Sequence, residues 1–485
     1  MAAPYFIGID VGTQGARVVL IDSAGNMIGS GEEVFPLDDE SREEQSPAIW
    51  WDVCLRLLKS LVRESASGIS LSAIKAISVT STSGTVIPLD EKMRPLHNAI
   101  MYSDKRSAAE GRICSALASQ FHPQGYTGFN SSSGLSKMLW FVRQFPEKSR
   151  RIAKWIHACD FLIGKLTARW GITDYTNALK SGYDVRDGYW PPYLYAKTPL
   201  RREWFPQVVT SGTPIAKISR ELALAIGLPE TVVVVMGMTD GCASQIASGA
   251  VKLGDWNTTI GTTLVVKGVT GNDIKDPEER LYSHRHPEGY WMPGGASNTG
   301  ADWVTKEFGD GLSALNAAAK KYIPTQHFAY PLRQEGERFP FISPDARGFQ
   351  PEDLSRTELF AANMEGVAYI ERYAYEIIEN LSGEKVKAVY TAGGGSKSDT
   401  WLTIRTNVLN LPIYKMKHVS GAVGAAILAA SKTHFSSVID AAASMTQVER
   451  RVHPDSKLSQ QYDINYRKFL RLLMEKGYIK NQIHA

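Results

Sequence analysis

Residues Tyr5 to Asp22 read Tyr-Phe-Ile-Gly-Ile-Asp-Val-Gly-Thr-Gln-Gly-Ala-Arg-Val-Val-Leu-Ile-Asp: apolar strand, glycine-bounded turn, apolar strand. Such a run specifies a hairpin inside a buried sheet, because β-branched residues flank a turn that glycine allows to be tight. The first strand closes on an acid, Asp10, and the turn Gly12-Thr13-Gln14-Gly15 presents backbone amides where glycine permits close approach. Amides so placed suit a phosphate. Asp10 suits a Mg²⁺ ion, which takes one or two carboxylates and fills its shell with phosphate oxygens and water. Taken singly the hairpin is a weak signal, since any hairpin in an α/β sheet can carry Gly and Asp at its tip.

Strand-like and helical runs alternate from end to end, the pattern of an α/β protein. A chain of 485 residues exceeds one compact core, so two domains are expected. The apolar stripes predict helices over 48–66, 135–145, 148–166, 243–250 and 359–381, and a small-residue helix over Ser420–Ser431. Near residue 250 the opening pattern starts again: Gly254–Gly268 holds strand, Gly261-Thr262-Thr263 turn and strand. The expected domains are therefore 1–248 and 249–485, facing each other across a cleft. The last helix, 456–480, carries a stripe that allows it to pack on either domain.

Composition narrows the function. The net charge of +4 forms no basic block, so no nucleic-acid footprint is expected. The longest apolar runs are strand-sized, the first strand leaves no room for a signal peptide, and no membrane partner is expected. Cys54, Cys114, Cys159 and Cys242 form no Cys-x-x-Cys pair, which argues against a zinc site or a disulfide framework and points to the cytoplasm. Nothing in the pattern reads out oligomeric state, and a homodimer is left open.

Three glycine-rich turns matter jointly: Gly12–Gly15, Gly261–Thr263 and Gly393-Gly394-Gly395-Ser396. Each follows a strand, the usual ligand position in open α/β sheets. The first two suit phosphates; the third suits a nucleotide base or ribose that a side chain would obstruct. With an acid at Asp10 and no P-loop lysine, the set suggests an actin-like ATP site. Asp240 follows an apolar strand, Val232–Gly237, in the turn Thr239-Asp240-Gly241, where a partly desolvated carboxylate is a better proton acceptor. Alone it reads better as a helix N-cap.

Together these motifs resemble the FGGY family of carbohydrate kinases over nearly the whole chain. Gly8–Gly15 looks like the first phosphate loop, Thr239-Asp240-Gly241 the catalytic-base motif, Ile260–Thr263 the second phosphate loop and Thr391–Ser396 the adenosine loop. Ser136-Lys137-Met-Leu-Trp140 is close to a family signature, and Gly336–Pro340 and Met364–Val367 also look like family positions. The resemblance implies two ribonuclease-H-like domains of the actin-like ATPase type that use ATP and Mg²⁺ to phosphorylate a small-molecule sugar. It makes Asp240 the base and places Asp10 at the metal, with Gly12, Thr13, Gln14, Gly261, Thr262, Thr263, Gly394, Gly395 and Ser396 at ATP.

The sugar loop departs from most members. Where many xylulose and glycerol kinases carry Gln-x-His, this chain reads Ser81-Thr-Ser-Gly-Thr-Val86, which resembles the D-ribulose kinase subgroup. Asp104 and Arg106 instead match the wider family. The expected sugar contacts are Ser83, Gly84, Thr85, Asp104 and Asp240, with Ser297 and Asn298 adding hydrogen bonds from the second domain. For each the plain alternative is an ordinary turn residue, and Lys137 and Trp140 read as scaffold. The first expectation is a kinase for the terminal hydroxyl of a ketopentose, D-ribulose before D-xylulose or another ketose or polyol. Two others belong to different classes: a sugar-binding regulatory protein on a kinase scaffold, and an ATPase indifferent to sugars.

Overall fold

The computed structural model describes residues 3–480; the extreme ends of the two expected domains lie outside the described residues. It is built on two large sheets, with two smaller ones beside them. Tyr5–Val11 (β1) turns into Gly15–Asp22 (β2), which pairs antiparallel with Met27–Val34 (β3). Pro47–Ser65 (α1) then seals that meander, burying Trp50, Val53, Leu57 and Leu61 along one stripe. Ile74–Ser81 (β4) lies parallel to β1, and Val233–Thr239 (β6) lies parallel to β4 on its other side. Pro214–Lys217 (β5) closes the edge antiparallel to β6. The sheet order is β3-β2-β1-β4-β6-β5.

Between β4 and β6 come the helices Gly134–Gln144 (α2), Ala158–Thr167 (α3) and the single turn Tyr175–Ala178 (α4); Asp240–Ala247 (α5) follows β6 without a loop. The helix expected over 148–166 is corrected here. Lys154–His157 is a strand paired antiparallel with Val86–Leu89, and helix resumes only at Ala158. Cross-strand burial of Trp155 and Ile156 outweighs their fit to the helical stripe.

The second sheet repeats the first and adds one edge strand, Tyr282–Arg285, beside Trp291–Ser297. Asp255–Ile260 (β7), Leu264–Gly268 (β8), Trp291–Ser297 (β9), Ala388–Ala392 (β10), Ile413–Met416 (β11) and Val448–Val452 (β12) run in the order β9-β8-β7-β10-β11-β12. The pairing senses match as well: an antiparallel meander, two parallel neighbours and an antiparallel edge. Its longer helices are Arg356–Ser382 (α6), Asp399–Leu409 (α7) and Ser456–Glu475 (α9); Gly421–Ser431 (α8) falls between β11 and β12.

Two compact units result. The first contains the chain through Ala247, His284–Gly289 and His418–Thr446; the second contains Ser248–Ser283, Tyr290–Lys417 and the chain from Gln447. Residues 418–446 thus join the first unit although they lie far into the second half of the sequence. Helix α8 consists almost wholly of small residues and lies directly on β1, so closely that a Cβ at Gly8 would stand 1.8 Å from the Ala422 carbonyl oxygen. Of the two placements its stripe allows, α9 takes the second unit. Tyr462 donates to Glu365 at 2.8 Å and Tyr466 to Glu376 at 2.6 Å, both acceptors on α6. Among the described residues no helix is long and apolar enough to cross a membrane.

Candidate active site

In the first unit the parallel strands end side by side. Asp10 on β1 and Met238 on β6 both stand opposite Thr80 of β4, and Val11 and Thr239 both stand opposite Ser81. Asp10 and Asp240 therefore flank the end of β4 from either side. Burial, and next the charge of Asp240, push the Asp10 carboxyl up to about 7, with Arg17 acting the other way. Asp10 Oδ1 is buried with no hydrogen-bond partner. Asp240 Oδ1 accepts the Gly241 amide at 2.6 Å. The first residue of α8 rests on Asp10: a Cβ at Gly421 would lie 2.7 Å from Asp10 Cγ. A helix N-terminus so close favours a charged carboxylate.

Two carboxylates with an orphaned oxygen fit a hard cation that takes its remaining ligands from phosphate and water. Among the described residues no group of three His, Cys, Asp or Glu is placed to hold a metal ion by itself. Protein side chains alone do not complete a shell here, whereas a Mg²⁺ ion arriving with a nucleotide brings its own oxygens.

The two turns expected at phosphates are each closed by a bond from the leading glycine, spanning three residues in the first and two in the second. Gly12 N–H donates to Gly15 O at 3.0 Å, and Gly261 N–H donates to Thr263 O at 3.0 Å. The leading glycine amide is consumed in closing the turn, which corrects the expectation that it faces a phosphate. The amides of Thr13 and Gln14, and of Thr262 and Thr263, meet no acceptor among the described residues. Gln45 holds the first turn from behind, donating to Thr13 O at 2.9 Å. Beside this turn lies a cavity of about 620 Å³ lined by Asp10, Gly12–Arg17, Arg42 and Tyr102 among others.

The expected sugar loop follows β4. Ser83 Oγ is buried without a partner, while Thr82 and Thr85 bond each other through their hydroxyls at 2.8 Å. Gly84 has φ +81° and presses on Ser132 O, where a Cβ would stand at 2.2 Å. Both Asp104 oxygens accept from Arg106, at 2.8 and 3.1 Å, and Arg106 in turn stacks over Trp140 at 4.5 Å. Asp104 is thereby committed within the protein. Lys137 donates to the carbonyls of Asp104 and Ser131. Its burial lowers the ammonium to about 8.

In the second unit, β7 and β10 are parallel neighbours, and their turns meet at their ends. Gly393 has φ +85°, a Cβ added to it would stand 2.7 Å from Ile260 O, and Gly395 packs on the Ile260 side chain. Gly394 and Ser396 follow in a single 3-10 turn, with Ser396 Oγ donating to Gly393 O at 2.8 Å. Ser297 and Asn298 have another use than the one expected. Ser297 donates to Glu337 at 2.8 Å, the Asn298 backbone N–H donates to the same carboxylate at 2.7 Å, and the Asn298 side chain donates to Gly336 O. Thr299 and Tyr330 complete the ring around Glu337.

Sequence reasoning misses three buried groups. Glu337 lies within the stretch Gly336–Pro340, but nothing local names its partners. The pair Glu371–Arg405 is fully buried and bidentate at 2.7 Å, and Arg405 also donates to Thr391 at 2.8 Å, just before the Gly393 turn. Asp174 gathers five donors from Thr176, Asn177 and Ser211. Its signal is local, an Asp followed at the second residue by Thr, the usual start of a capped turn.

Comparison with known proteins divides the chain near residue 250. Residues 5–247 match the profile of the FGGY family of carbohydrate kinases, N-terminal domain, and residues 250–433 match that of its C-terminal domain. A xylulose kinase of Staphylococcus epidermidis is 26% identical over 448 residues, covering 89% of this chain and 88% of its own. One from Escherichia coli is 27% identical over 410 residues, covering 82% and 83%. The crystal structure of a xylulose ("xyloylose") kinase from Brucella ovis superposes with a TM-score of 0.87 at 26% identity, covering 98% of this chain and 99% of the other.

Proposed function

The chain belongs to the FGGY family of carbohydrate kinases, and from that premise we propose that this ATP-dependent sugar kinase phosphorylates the terminal hydroxyl of a ketopentose. The observation that carries the reading is the carboxylate pair at the end of β4: Asp10, pushed up to about 7 by burial and by Asp240, with its own Oδ1 buried and without a partner. Asp240 accepts the proton of the sugar hydroxyl as that oxygen attacks the γ-phosphorus. The new bond joins sugar oxygen to phosphorus, the bond to the bridging oxygen breaks, and ADP leaves. The free amides at Thr13, Gln14, Thr262 and Thr263 hold phosphate oxygens in place. Gly394, Gly395 and Ser396 leave room for the nucleoside. Asp10 holds Mg²⁺, which when bound offsets the negative charge gathering on the phosphates.

The sugar is read from the loop after β4. The unpartnered Ser83 hydroxyl and the hydroxyl pair Thr82–Thr85 offer a polyol both donors and acceptors. D-xylulose is favoured by the names of the relatives. D-ribulose is favoured by the departure from Gln-x-His in this loop. Ser297 and Asn298, tied to Glu337 and Gly336, act as braces of the second unit.

The test is ADP release with ATP and Mg²⁺ across D-xylulose, D-ribulose, L-ribulose, L-xylulose, D-gluconate, ribitol and glycerol. We expect a sharp response to a single ketopentose, and a loss of about 10²- to 10⁴-fold in Asp240→Ala. Hydrolysis that ignores every sugar would overturn the reading in favour of an ATPase. A flat response without turnover would favour a sugar-binding regulator.

A further inference from the structure

The segment leading into Asp240 is held by side chains from outside its own strand. Strand β6 carries one extra residue relative to β4 between Val235 and Met238, a bulge that re-aims whatever follows it. Gly237 sits in this bulge, where a Cβ would stand 1.6 Å from Val79 O. Thr80 donates its hydroxyl to Met238 O at 2.7 Å. One residue on, Thr239 N–H donates to the hydroxyl of Thr176 at 2.9 Å, a residue 63 positions away. The Met238–Thr239 peptide, one residue before Asp240, is thus held at both its carbonyl and its N–H by threonine hydroxyls.

The polarity of the second bond is set by Asp174. Its Oδ2 accepts the Thr176 hydroxyl at 2.6 Å, the Thr176 amide at 2.8 Å and the Ser211 hydroxyl at 2.7 Å; its Oδ1 accepts from the Asn177 side chain at 2.7 Å and backbone at 3.2 Å. Both Asp174 and Thr176 are fully buried. A hydroxyl has one proton. Because Asp174 takes that of Thr176, the Thr176 lone pairs are left for Thr239 N–H. The carboxylate comes from the end of the short strand Ile172–Asp174, paired in parallel with Gln207–Val209, which brings Ser211 to the same point.

We infer that Thr176 is a positioning residue for Asp240, and that Asp174 fixes its hydroxyl as the acceptor that holds the backbone leading into that carboxylate. The inference rests on the reading of Asp240 as base. A base displaced by a fraction of an ångström loses proton-transfer efficiency while ATP affinity, supplied by other residues, is untouched.

The test uses the full chain and whichever panel sugar gives the largest ADP release. Thr176→Val keeps the shape and removes the hydroxyl. We expect kcat to fall about 10- to 100-fold with the KM for ATP changed less than about twofold, and Thr176→Ser to recover most of the loss. Asp174→Leu, which removes the acceptor of the Thr176 hydroxyl, should reproduce the kcat phenotype. If Thr176→Val does not fold, Thr176→Ala is read by the same criteria. Normal kcat with a lowered Tm, or kcat and the KM for ATP worsening together, would show a merely structural role. Adding Thr176→Val to Asp240→Ala should cost nothing further, since the two act as a unit. Retained turnover in Asp240→Ala sinks the base assignment itself; an inactive Asp240→Ala beside a fully active Thr176→Val sinks only the positioning role.

Discussion

The two sheets share strand order and pairing sense yet end in opposite chemistry. Counting back from the turn glycine, the first unit has Val11 and Asp10, and the second has Ile260 and Thr259. Where the first unit carries a charged oxygen, the second carries a hydroxyl that donates to Asn257 at 3.1 Å. Strand β6 runs into Asp240, whereas its counterpart β11 runs into Lys417. Each unit also spends a buried acid just behind its strand ends: Asp174, through Thr176, on Thr239, and Glu371, through Arg405, on Thr391. The repeated topology supplies turns with free amides in both places. One residue per strand end then decides whether that edge carries a carboxylate or a neutral or basic side chain.

The sharpest way to break the comparison is to erase the charge that distinguishes the first unit. Asp10 ionises near 7 in the fold against 3.8 for the unperturbed group. The folded state therefore holds its proton more tightly than the unfolded chain. Its contribution to stability is fully present below about pH 4, declines as pH rises, and is lost above about pH 7. At roughly 1.4 kcal/mol per pH unit this amounts to about 4 kcal/mol. Asp10→Asn should thus raise metal-free stability at pH 8 and leave it nearly unchanged at pH 4, while sugar phosphorylation falls. Urea titrations at the two pH values check this, and equal effects at both would show that the carboxylate is not strained. Mg²⁺ should narrow the gap between wild type and variant at pH 8.

The second unit is tested through its own buried acid. Glu371→Ala leaves the Arg405 guanidinium charged at a site with no exposure, a change that costs about 3–5 kcal/mol. Because Arg405 holds Thr391 ahead of the Gly393 turn, the KM for ATP should rise more than that for sugar. Replacing both members by apolar side chains of similar volume, Glu371→Leu together with Arg405→Met, should restore much of the stability without restoring the KM for ATP. Recovery of both would make the pair a packing feature only.

What is legible in the sequence has local causes. The hairpins at Gly12 and Gly261 announce themselves within a dozen residues, and the shared α/β repeat follows from them. The Lys148–Leu166 stretch reads as one helix because an apolar run such as Trp155-Ile156 fits helix or strand equally, and only its partner Val86–Leu89 decides. The return of 418–446 to the first unit has no local signal beyond a helix of small residues. Buried polar partners are hidden for the same reason: Ser297 meets Glu337 across 40 residues, and Thr239 meets Thr176 across 63. A hydroxyl in a strand looks the same from sequence whether it faces a ligand or a carboxylate.

The smallest expected effect on folding separates glycines kept for the chain from glycines kept for the ligand. Gly393 has φ +85° and no room for a Cβ beside Ile260 O, so Gly393→Ala should cost at least about 1–2 kcal/mol from the backbone conformation alone. Gly261 lies in an ordinary conformation with nothing within 4 Å of an added Cβ. Gly261→Ala should therefore leave stability within about 0.5 kcal/mol of wild type, yet raise the KM for ATP, because the methyl group enters the open space to which the proposed function assigns a phosphate. Gly12→Ala, whose Cβ would stand 3.7 Å from Gly15 O, should behave alike. Melting curves paired with ATP titrations of the three variants decide it. If Gly261→Ala melts early, the turn is tuned for the sheet; if it melts normally and binds ATP as wild type does, the Gly261 turn does not touch the nucleotide.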